Sequence, residues 1–339
     1  MQKPDDNNQE EAARKIEANI RPEVAEIVRY VERIIKSKRG VTLIALAAIL
    51  SRGHVLFEDV PGTGKTTLAS LLANSLDLSF AHVQMTSDML PSDILGSMIF
   101  DPDKRKFEFH PGPIFANVIM ADELNRTSPR TQSALLEAMG AASVTVDRQT
   151  HKLPQPFIVL ATQNPREIHG TYPLPTSQLD RFLVRLHMGY PDPQSEATIL
   201  REQQTFYAEQ SEIQNAKPVF NTERLIQIQN EITQIKVDQT LIDAIIRLAN
   251  ATRNSKRLEL GLSTRAALGL RRMAQAWAWM QNRDYIIPDD IKQLVIPVCA
   301  HRIITTHRFN TTETNTQNTT QTPEETAMQQ ILSEFTWEW

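Results

Sequence analysis

A glycine-rich loop between an apolar segment and a helical pattern constrains the fold of this chain most. Apolar residues 55–57 lead into Asp59-Val60-Pro61-Gly62-Thr63-Gly64-Lys65-Thr66-Thr67, and apolar residues recur at helical spacing from Leu68 to Leu76. Glycines let backbone N–H groups curl around phosphate oxygens, and a helix N-terminus adds the positive end of its dipole. The order strand, loop, helix therefore predicts a phosphate-binding loop rather than a glycine turn beside a surface lysine.

Two residues of this loop have the chemistry to act on a nucleoside triphosphate. Lys65 can reach the β- and γ-phosphates, and the Thr66 hydroxyl can ligate Mg²⁺. The first position of the usual pattern is glycine and here it is Asp59, whereas the core of the pattern is intact. The predicted nucleotide-binding residues are Pro61, Gly62, Thr63, Gly64, Lys65, Thr66 and Thr67.

Four more apolar segments of strand length follow the loop, separated by helical stretches or turns. They are Ala81–Val83, Val118–Met120, Phe157–Leu160 and Phe182–Leu186. This alternation predicts an α/β fold with a parallel five-stranded sheet flanked by helices. Segments 97–109 and 143–153 have the pattern of β-hairpins inserted into the sheet region, and residues 195–304 predict an all-α domain.

The length of 339 residues favours at least two domains. We expect an N-terminal helix and nucleotide-binding core over residues 1–190 and a helical lid over 191–308. Residues 309–339 are expected to form a Thr/Asn/Gln-rich linker and a short amphipathic helix that begins at Thr322-Pro323. The apolar face of that helix predicts docking on a neighbouring subunit or partner. The alternative is that it folds back onto its own lid.

The net charge, the cysteine count and the lack of a long apolar run indicate what class of protein this is. The net charge of −4 disfavours a general polyanion binder, and the single cysteine, Cys299, fits a reducing compartment. The N-terminus is polar and acidic, and no run of about 18 apolar residues appears, so we expect a cytoplasmic protein without a membrane span.

Two carboxylates end the predicted strand at Val118–Met120. In a phosphate-loop enzyme that position faces the phosphates, where Asp122 would hold Mg²⁺ and Glu123 would polarise the attacking water. An isolated Asp-Glu pair would instead be read as solvated acids at a strand end. The buried strand and the upstream loop favour the catalytic interpretation.

Three further residues are candidates for the same reaction. Asn164 follows the next predicted strand, where it can hydrogen-bond the attacking water or the γ-phosphate, although alone it would be a turn asparagine before proline. Arg181 follows a short helix and is either a surface arginine, a local partner of Asp180, or an arginine finger that reaches a neighbouring subunit. Arg265, near the start of a lid helix, is expected to fold over the nucleotide.

Several long motifs together resemble the MoxR family of AAA+ ATPases, and the resemblance covers about residues 53–304. Besides the phosphate loop, they are Leu90-Pro91-Ser92-Asp93-Ile94-Leu95-Gly96, Pro111-Gly112-Pro113-Ile114-Phe115-Ala116-Asn117, Ala121-Asp122-Glu123-Leu124-Asn125-Arg126, Gln132-Ser133-Ala134-Leu135-Leu136-Glu137-Ala138-Met139, Ala161-Thr162-Gln163-Asn164-Pro165 and Gly170-Thr171-Tyr172-Pro173-Leu174-Pro175. The chain departs from the family at residues 36–40, where a Gly-Gln pair near the adenine is usual.

The resemblance implies an AAA+ core with hairpin inserts, a helical lid, and ATP and Mg²⁺ as cofactors. Nucleotide sites would be shared between subunits of a ring, most often a homohexamer. The resemblance places Lys65, Thr66, Asp122, Glu123 and Asn164 at the nucleotide, Arg181 as the arginine finger and Arg265 as the second sensor.

For the use made of ATP, the resemblance implies a chaperone-like factor that remodels or matures a protein complex. Its partner would often be a separate protein with a von Willebrand factor A domain. The alternative is a nucleic-acid-translocating motor, to which the basic run Lys104-Arg105-Lys106 would contribute. The acidic balance and the lack of an added DNA-binding motif argue against that motor.

Overall fold

A parallel five-stranded sheet forms the centre of the N-terminal part. The computed structural model describes residues 20–164, 170–201, 217–309 and 322–338. The strands of the sheet are β1 (Val55–Glu58), β2 (Phe80–Gln84), β5 (Val118–Asp122), β8 (Ile158–Gln163) and β9 (Val184–Leu186). Their spatial order is β2-β5-β8-β1-β9, and every pair is parallel. The predicted five-stranded sheet is confirmed.

Alternating side chains of these strands enter two separate cores. Val55 and Phe57 pack into one cluster, together with the lid, whereas Leu56 packs into the other. The same alternation separates Val118 from Ile119, because successive side chains of a strand point to opposite faces. A sheet buried on both faces needs helices on both sides, which explains the nearly continuous apolar strands.

Helices cover both faces of the sheet. The helices of the N-terminal part are α1 (Pro22–Glu32), α2 (Arg39–Leu50), α3 (Lys65–Ser75), α4 (Pro91–Leu95), α5 (Pro129–Ala141) and α6 (Thr176–Leu179), with 3₁₀ turns at Pro113–Phe115 and Leu124–Arg126. Helix α2 is buried almost all round, as expected for a helix between the sheet and the lid.

Both predicted hairpins are present. Strands β3 (Gly96–Asp101) and β4 (Lys106–Pro111) form one, and β6 (Ser143–Val146) and β7 (Gln149–Lys152) form the other. Phe109 stacks on His151 with ring centroids 3.9 Å apart, so the two inserts contact each other.

The C-terminal part is helical, as predicted, but also holds a small sheet that the prediction missed. Its helices are α7 (Pro193–Arg201), α8 (Thr222–Thr233), α9 (Gln239–Arg253), α10 (Thr264–Met280) and α11 (Pro288–Cys299), followed by a 3₁₀ turn at Ala300–Arg302. Strands β10 (Leu258–Leu260) and β11 (Ile304–Thr305) pair antiparallel. Trp277 and Trp279 lie fully in the core of this part.

The last helix, α12 (Pro323–Glu334), begins where the sequence predicts, with Thr322 as its N-cap and Glu325 completing a capping box. Its apolar residues Ala327, Met328 and Ile331 are buried within the chain itself. The predicted docking on a neighbouring subunit is therefore corrected: the helix packs on its own lid, whose apolar surface fits its face. The predicted linker at 310–321 lies outside the described residues.

Candidate active site

The phosphate loop joins the end of β1 to the start of α3. Gly62 and Gly64 have φ values of +80° and +88°, a region that only glycine adopts without strain. The loop, the ends of β5 and β8, and Asn164 line one cavity of about 180 Å³. The nucleotide residues predicted from sequence are thus brought together, with Val60 bridging to the strand.

Lys65 is held against the loop by neutral oxygens. Its Nζ donates to the Val60 carbonyl at 2.6 Å and to Thr63 Oγ1 at 3.2 Å. Burial lowers the pKa of Lys65, and the nearby carboxylates Asp59, Asp122 and Glu123 only partly offset that effect. A triphosphate in the cavity would give this ammonium the anionic partner that the loop itself does not supply.

Asp122 and Glu123 are fixed by one hydroxyl of the neighbouring strand. Thr162 Oγ1 donates to Asp122 Oδ1 at 2.5 Å and accepts from the Glu123 backbone N–H at 2.8 Å. Glu123 has a φ of 58°, in the left-handed region that residues other than glycine seldom adopt. Sequence reasoning missed Thr162. In the parallel register of β5 and β8, Ala121 lies opposite Ala161, and Asp122 and Thr162 are the next residues of the two strands.

The Glu123 carboxylate has two partners that were also missed. Gln84 Nε2 donates to Glu123 Oε2 at 2.7 Å, and Arg126 Nε lies 3.1 Å from the same oxygen. Gln84 ends β2, where it pairs in register with Asp122. The Glu123 carboxylate is therefore oriented from two sides at the end of the sheet.

The donor set suits a magnesium ion. Thr66 and Asp122 line the same cavity and offer a hydroxyl and a carboxylate, which are hard oxygen ligands. Among the described residues, no group of three or more His, Cys, Asp or Glu side chains forms a metal site. Mg²⁺ is commonly held by one or two protein ligands together with substrate phosphates.

Arg181 and Arg265 lie at the opposite edge of the sheet from this cavity. Arg181 precedes β9, and its Nη1 donates to the Leu136 carbonyl at 2.8 Å. Arg265 Nη1 lies 3.5 Å from Asp180 Oδ2, and its side chain is 62% exposed. Neither arginine lines the phosphate cavity. Helix α10 begins beside the turn at Asp180, so Arg265 lies away from the phosphate loop of its own chain, and its expected place over a nucleotide stays a prediction.

A second cavity, of about 390 Å³, surrounds these arginines. Its charged residues are Arg52, Asp180, Arg181, Arg265, Arg272 and Arg302. Arg302 is only 4% exposed, and its Nη1 makes no hydrogen bond within the described residues. Five guanidinium groups around one carboxylate leave an excess of positive charge, which favours an anionic ligand. We call this space the arginine cavity.

Comparisons with known proteins agree with this architecture. Residues 54–184 match the model of the ATPase family associated with various cellular activities (AAA), and residues 250–325 match an AAA lid domain. The chaperone MoxR1 of Mycobacterium tuberculosis is 36% identical over 82% of this chain and 74% of its own length.

The chain belongs to the MoxR family of AAA+ ATPases.

Two further relatives of this MoxR-family chain cover more of it. The uncharacterized protein YeaC of Bacillus subtilis is 44% identical over 84% of this chain and 88% of its own length. The crystal structure of a candidate ATPase from Cytophaga hutchinsonii is 35% identical, covers 97% of this chain and 98% of its own, and superposes with a TM-score of 0.83. No helix among the described residues is long and apolar enough to cross a membrane.

Proposed function

We propose that this MoxR-family chain hydrolyses ATP to ADP and phosphate in the cavity at the carboxyl edge of its sheet. The observation that carries the proposal is the convergence of Lys65, Thr66, Asp122 and Glu123 on one space, with Asn164 at its rim. Bound Mg²⁺, held by Thr66 and Asp122, would neutralise charge that develops on the phosphates.

The chain's own groups divide the remaining work. The loop N–H groups and Lys65 bind the β- and γ-phosphates. Glu123, oriented by Gln84 and Arg126, accepts a proton from the attacking water as the bond between the γ-phosphorus and the leaving oxygen breaks. Asn164 aligns that water or the γ-phosphate.

Arg181 and Arg265 act on the nucleotide of a neighbouring copy. Strand β1 has four residues, which at about 3.3 Å per residue separates the two edges of the sheet by roughly 13 Å. An arginine at the amino edge does not bridge that distance and the loop beyond it. A head-to-tail contact between copies brings one chain's arginine cavity to the next chain's phosphates, and such contacts close into rings, which we take to be hexameric.

The ring motion remodels or matures a protein complex, together with a partner that carries a von Willebrand factor A domain. Support comes from the family and from the relative named a chaperone. The alternative of a nucleic-acid motor has less support, because the charge of Lys104 in the basic run is already paired with Glu108 at 2.9 Å.

Two measurements test this function. Specific ATPase activity of the purified chain is expected to rise with protein concentration, because each complete site needs two copies. Activity that is independent of concentration over the range where rings assemble would contradict sharing of the site.

Affinity capture with Glu123→Gln in ATP is expected to enrich a von Willebrand factor A protein or an assembling complex. Nuclease-sensitive nucleic acid alone would favour the motor.

A further inference from the structure

The docked helix α12 places a buried carboxylate against the sheet. Glu325, in its first turn, is 4% exposed. Its Oε1 lies 3.1 Å from Arg185 Nη2 and 3.0 Å from His187 Nε2. The capping box holds the other oxygen, since the Thr322 N–H donates to Glu325 Oε2 at 3.1 Å. The carboxylate is therefore fixed on both oxygens, as a buried charge must be if it is not to destabilise the fold.

Arg185 continues the contact toward the phosphate loop. Its Nη1 lies 2.9 Å from Glu58 Oε2, a close ion pair that lacks hydrogen-bond alignment. Glu58 ends β1, and the next residue opens the loop that carries Lys65. His187 Nδ1 also lies 2.6 Å from the Glu58 backbone carbonyl. Two side chains of the β9 segment thus join the tail helix to the last residue before the loop.

Glu58 extends the network to a third strand. Its Oε1 accepts from Gln163 Nε2 at 2.7 Å, and the two residues are partners in the register of β1 and β8. Gln163 lines the phosphate cavity and directly precedes Asn164. The side chains of Gln163, Glu58 and Arg185 thus cross-link three adjacent strands, β8, β1 and β9, at their carboxyl ends.

We propose that Glu325 and Arg185 are positioning residues for the nucleotide: through Glu58 and Gln163, the docked tail helix fixes the phosphate loop and the end of β8. The proposal rests on the proposed ATP hydrolysis and deepens it. Arg185 lies between two carboxylates, and loss of Glu325 leaves its charge paired with Glu58 alone. Glu58 and the end of β1 would then shift, and with them the phosphate loop that binds the nucleotide. A misplacement of about 1 Å in such support can cost about 100-fold in rate.

The test compares three full-length variants. Glu325→Gln removes the charge that faces the sheet while keeping the shape of the side chain. Glu334→Gln is the matched control: it removes one carboxylate from the same helix, at the pair of Glu334 with Arg257 on the lid, where Glu334 is 60% exposed. Glu325→Asp keeps the charge on a shorter side chain, so it shows whether the charge restores what Glu325→Gln loses.

The readouts are the Kd for a fluorescent ADP analogue, kcat and KM for ATP, and Tm. We expect Glu325→Gln to weaken ADP binding or lower kcat about tenfold, Glu334→Gln to stay close to the parent, and Glu325→Asp to recover part of the loss. Equal values for the parent and Glu325→Gln would overturn the proposal. Equal losses in Glu325→Gln and Glu334→Gln would also overturn it, since docking alone would then account for both.

A second measurement uses the unaltered chain, so its result does not depend on whether a variant folds. Coupling between two sites is reciprocal, so a nucleotide that is bound better by the docked form must also stabilise docking. Amide hydrogen exchange in 323–334 is expected to slow when ADP is added. Unchanged exchange at saturating ADP would overturn the coupling. A parent chain that neither binds nor hydrolyses nucleotide would instead overturn the proposed function, and this inference with it.

Discussion

At the scale of single residues, the site depends on hydrogen bonds across strands. Thr162 serves Asp122 and the Glu123 backbone at once, and Gln84 holds the Glu123 carboxylate. Gln84, Asp122 and Thr162 come from three different strands, so the parallel register of the sheet sets the geometry of these groups.

Replacement of the proposed base is the first test at this scale. Glu123→Gln keeps the shape and can still accept from Gln84, but it cannot take a proton from water. We expect ATP binding to persist and turnover to fall about 100-fold or more. Binding is measured with a fluorescent nucleotide and turnover by phosphate release. Glu137→Gln, on the exposed side of α5, is the control. Undiminished turnover in Glu123→Gln would exclude the role in activating water.

Thr162→Val tests the shared hydroxyl. It leaves the Glu123 N–H without its acceptor and removes the donor to Asp122, at a cost of about 1–3 kcal/mol in the free energy of unfolding. We expect a lower denaturation midpoint and a marked loss of kcat. Thr145→Val in the exposed hairpin, where the partner is Thr150, is the control and should change neither value much. A normal kcat in Thr162→Val would show that the hydroxyl is dispensable.

The main catalytic candidates could be predicted from sequence because they belong to contiguous motifs at strand ends. Thr162 and Gln84 could not be assigned roles, because their partners lie on a neighbouring strand and only the strand register brings them together. Arg126 lies three residues after its partner Glu123, but the sequence alone does not show that the two side chains meet. Arg265 was expected to fold over the nucleotide because the sequence places it at the start of a lid helix. The packing of α10 beside Asp180 decides the side of the sheet on which it lies.

At the scale of elements, periodicity predicted the sheet and both hairpins well, since each buried face leaves a clear pattern. The short strands β10 and β11 escaped prediction because two or three residues carry no periodic signal. The docking of α12 was also misjudged. An amphipathic face shows that a helix packs against something, but complementarity with the lid decides the surface it covers.

The docking of α12 is expected to depend on pH. Burial lowers the pKa of His187, but the hydrogen bond and charge of Glu325 outweigh it and raise the pKa above 6.5, with Arg185 opposing and Glu58 assisting. Burial raises the pKa of Glu325, and the hydrogen bond with His187 and the charge of Arg185 bring it from 4.5 to about 2. These groups belong to β1, the β9 segment and α12.

The pH at which each group stabilises the docked helix follows from the direction in which folding shifts its pKa. The His187 contribution is complete below pH 6.5 and is lost as pH rises through its raised pKa, whereas the Glu325 contribution is complete above pH 4.5 and is lost as pH falls toward its pKa of about 2. Docking is therefore strongest between these values. We expect Tm to fall from pH 6 to pH 9 more in the parent than in His187→Gln, which lacks the titrating group. Parallel profiles for the two proteins would contradict this assignment.

At the scale of the whole molecule, the two cavities lie at opposite edges of one sheet and share no lining residue. Excess positive charge at one edge and a phosphate loop at the other make the chain complementary to a copy of itself. The proposed ring follows from this polarity, and in that ring each proposed site would combine the phosphate loop of one copy with the arginines of the next.

Mixed assemblies test that division. Arg181→Ala and Arg265→Ala are each expected to reduce turnover about 1,000-fold or more while leaving nucleotide binding intact. Mixing either with Lys65→Ala, which lacks a functional phosphate loop but keeps both arginines, should restore part of the activity. Lys65→Ala mixed with Glu123→Gln is the control and should stay inactive, since both lesions lie at the same edge. No recovery in mixtures that assemble normally would contradict action between copies.

The separation of the two cavities has a genetic consequence. In a mixed ring, a defective copy that still assembles would inactivate its own site when its phosphate loop is damaged, and its neighbour's site when its arginine edge is damaged. When both edges of such a copy are damaged, the number of working sites falls with the square of the intact fraction. Alleles that disrupt folding would then be recessive, because the product never joins a ring, whereas an allele that alters both Lys65 and Arg181 would reduce activity by more than its share of the copies.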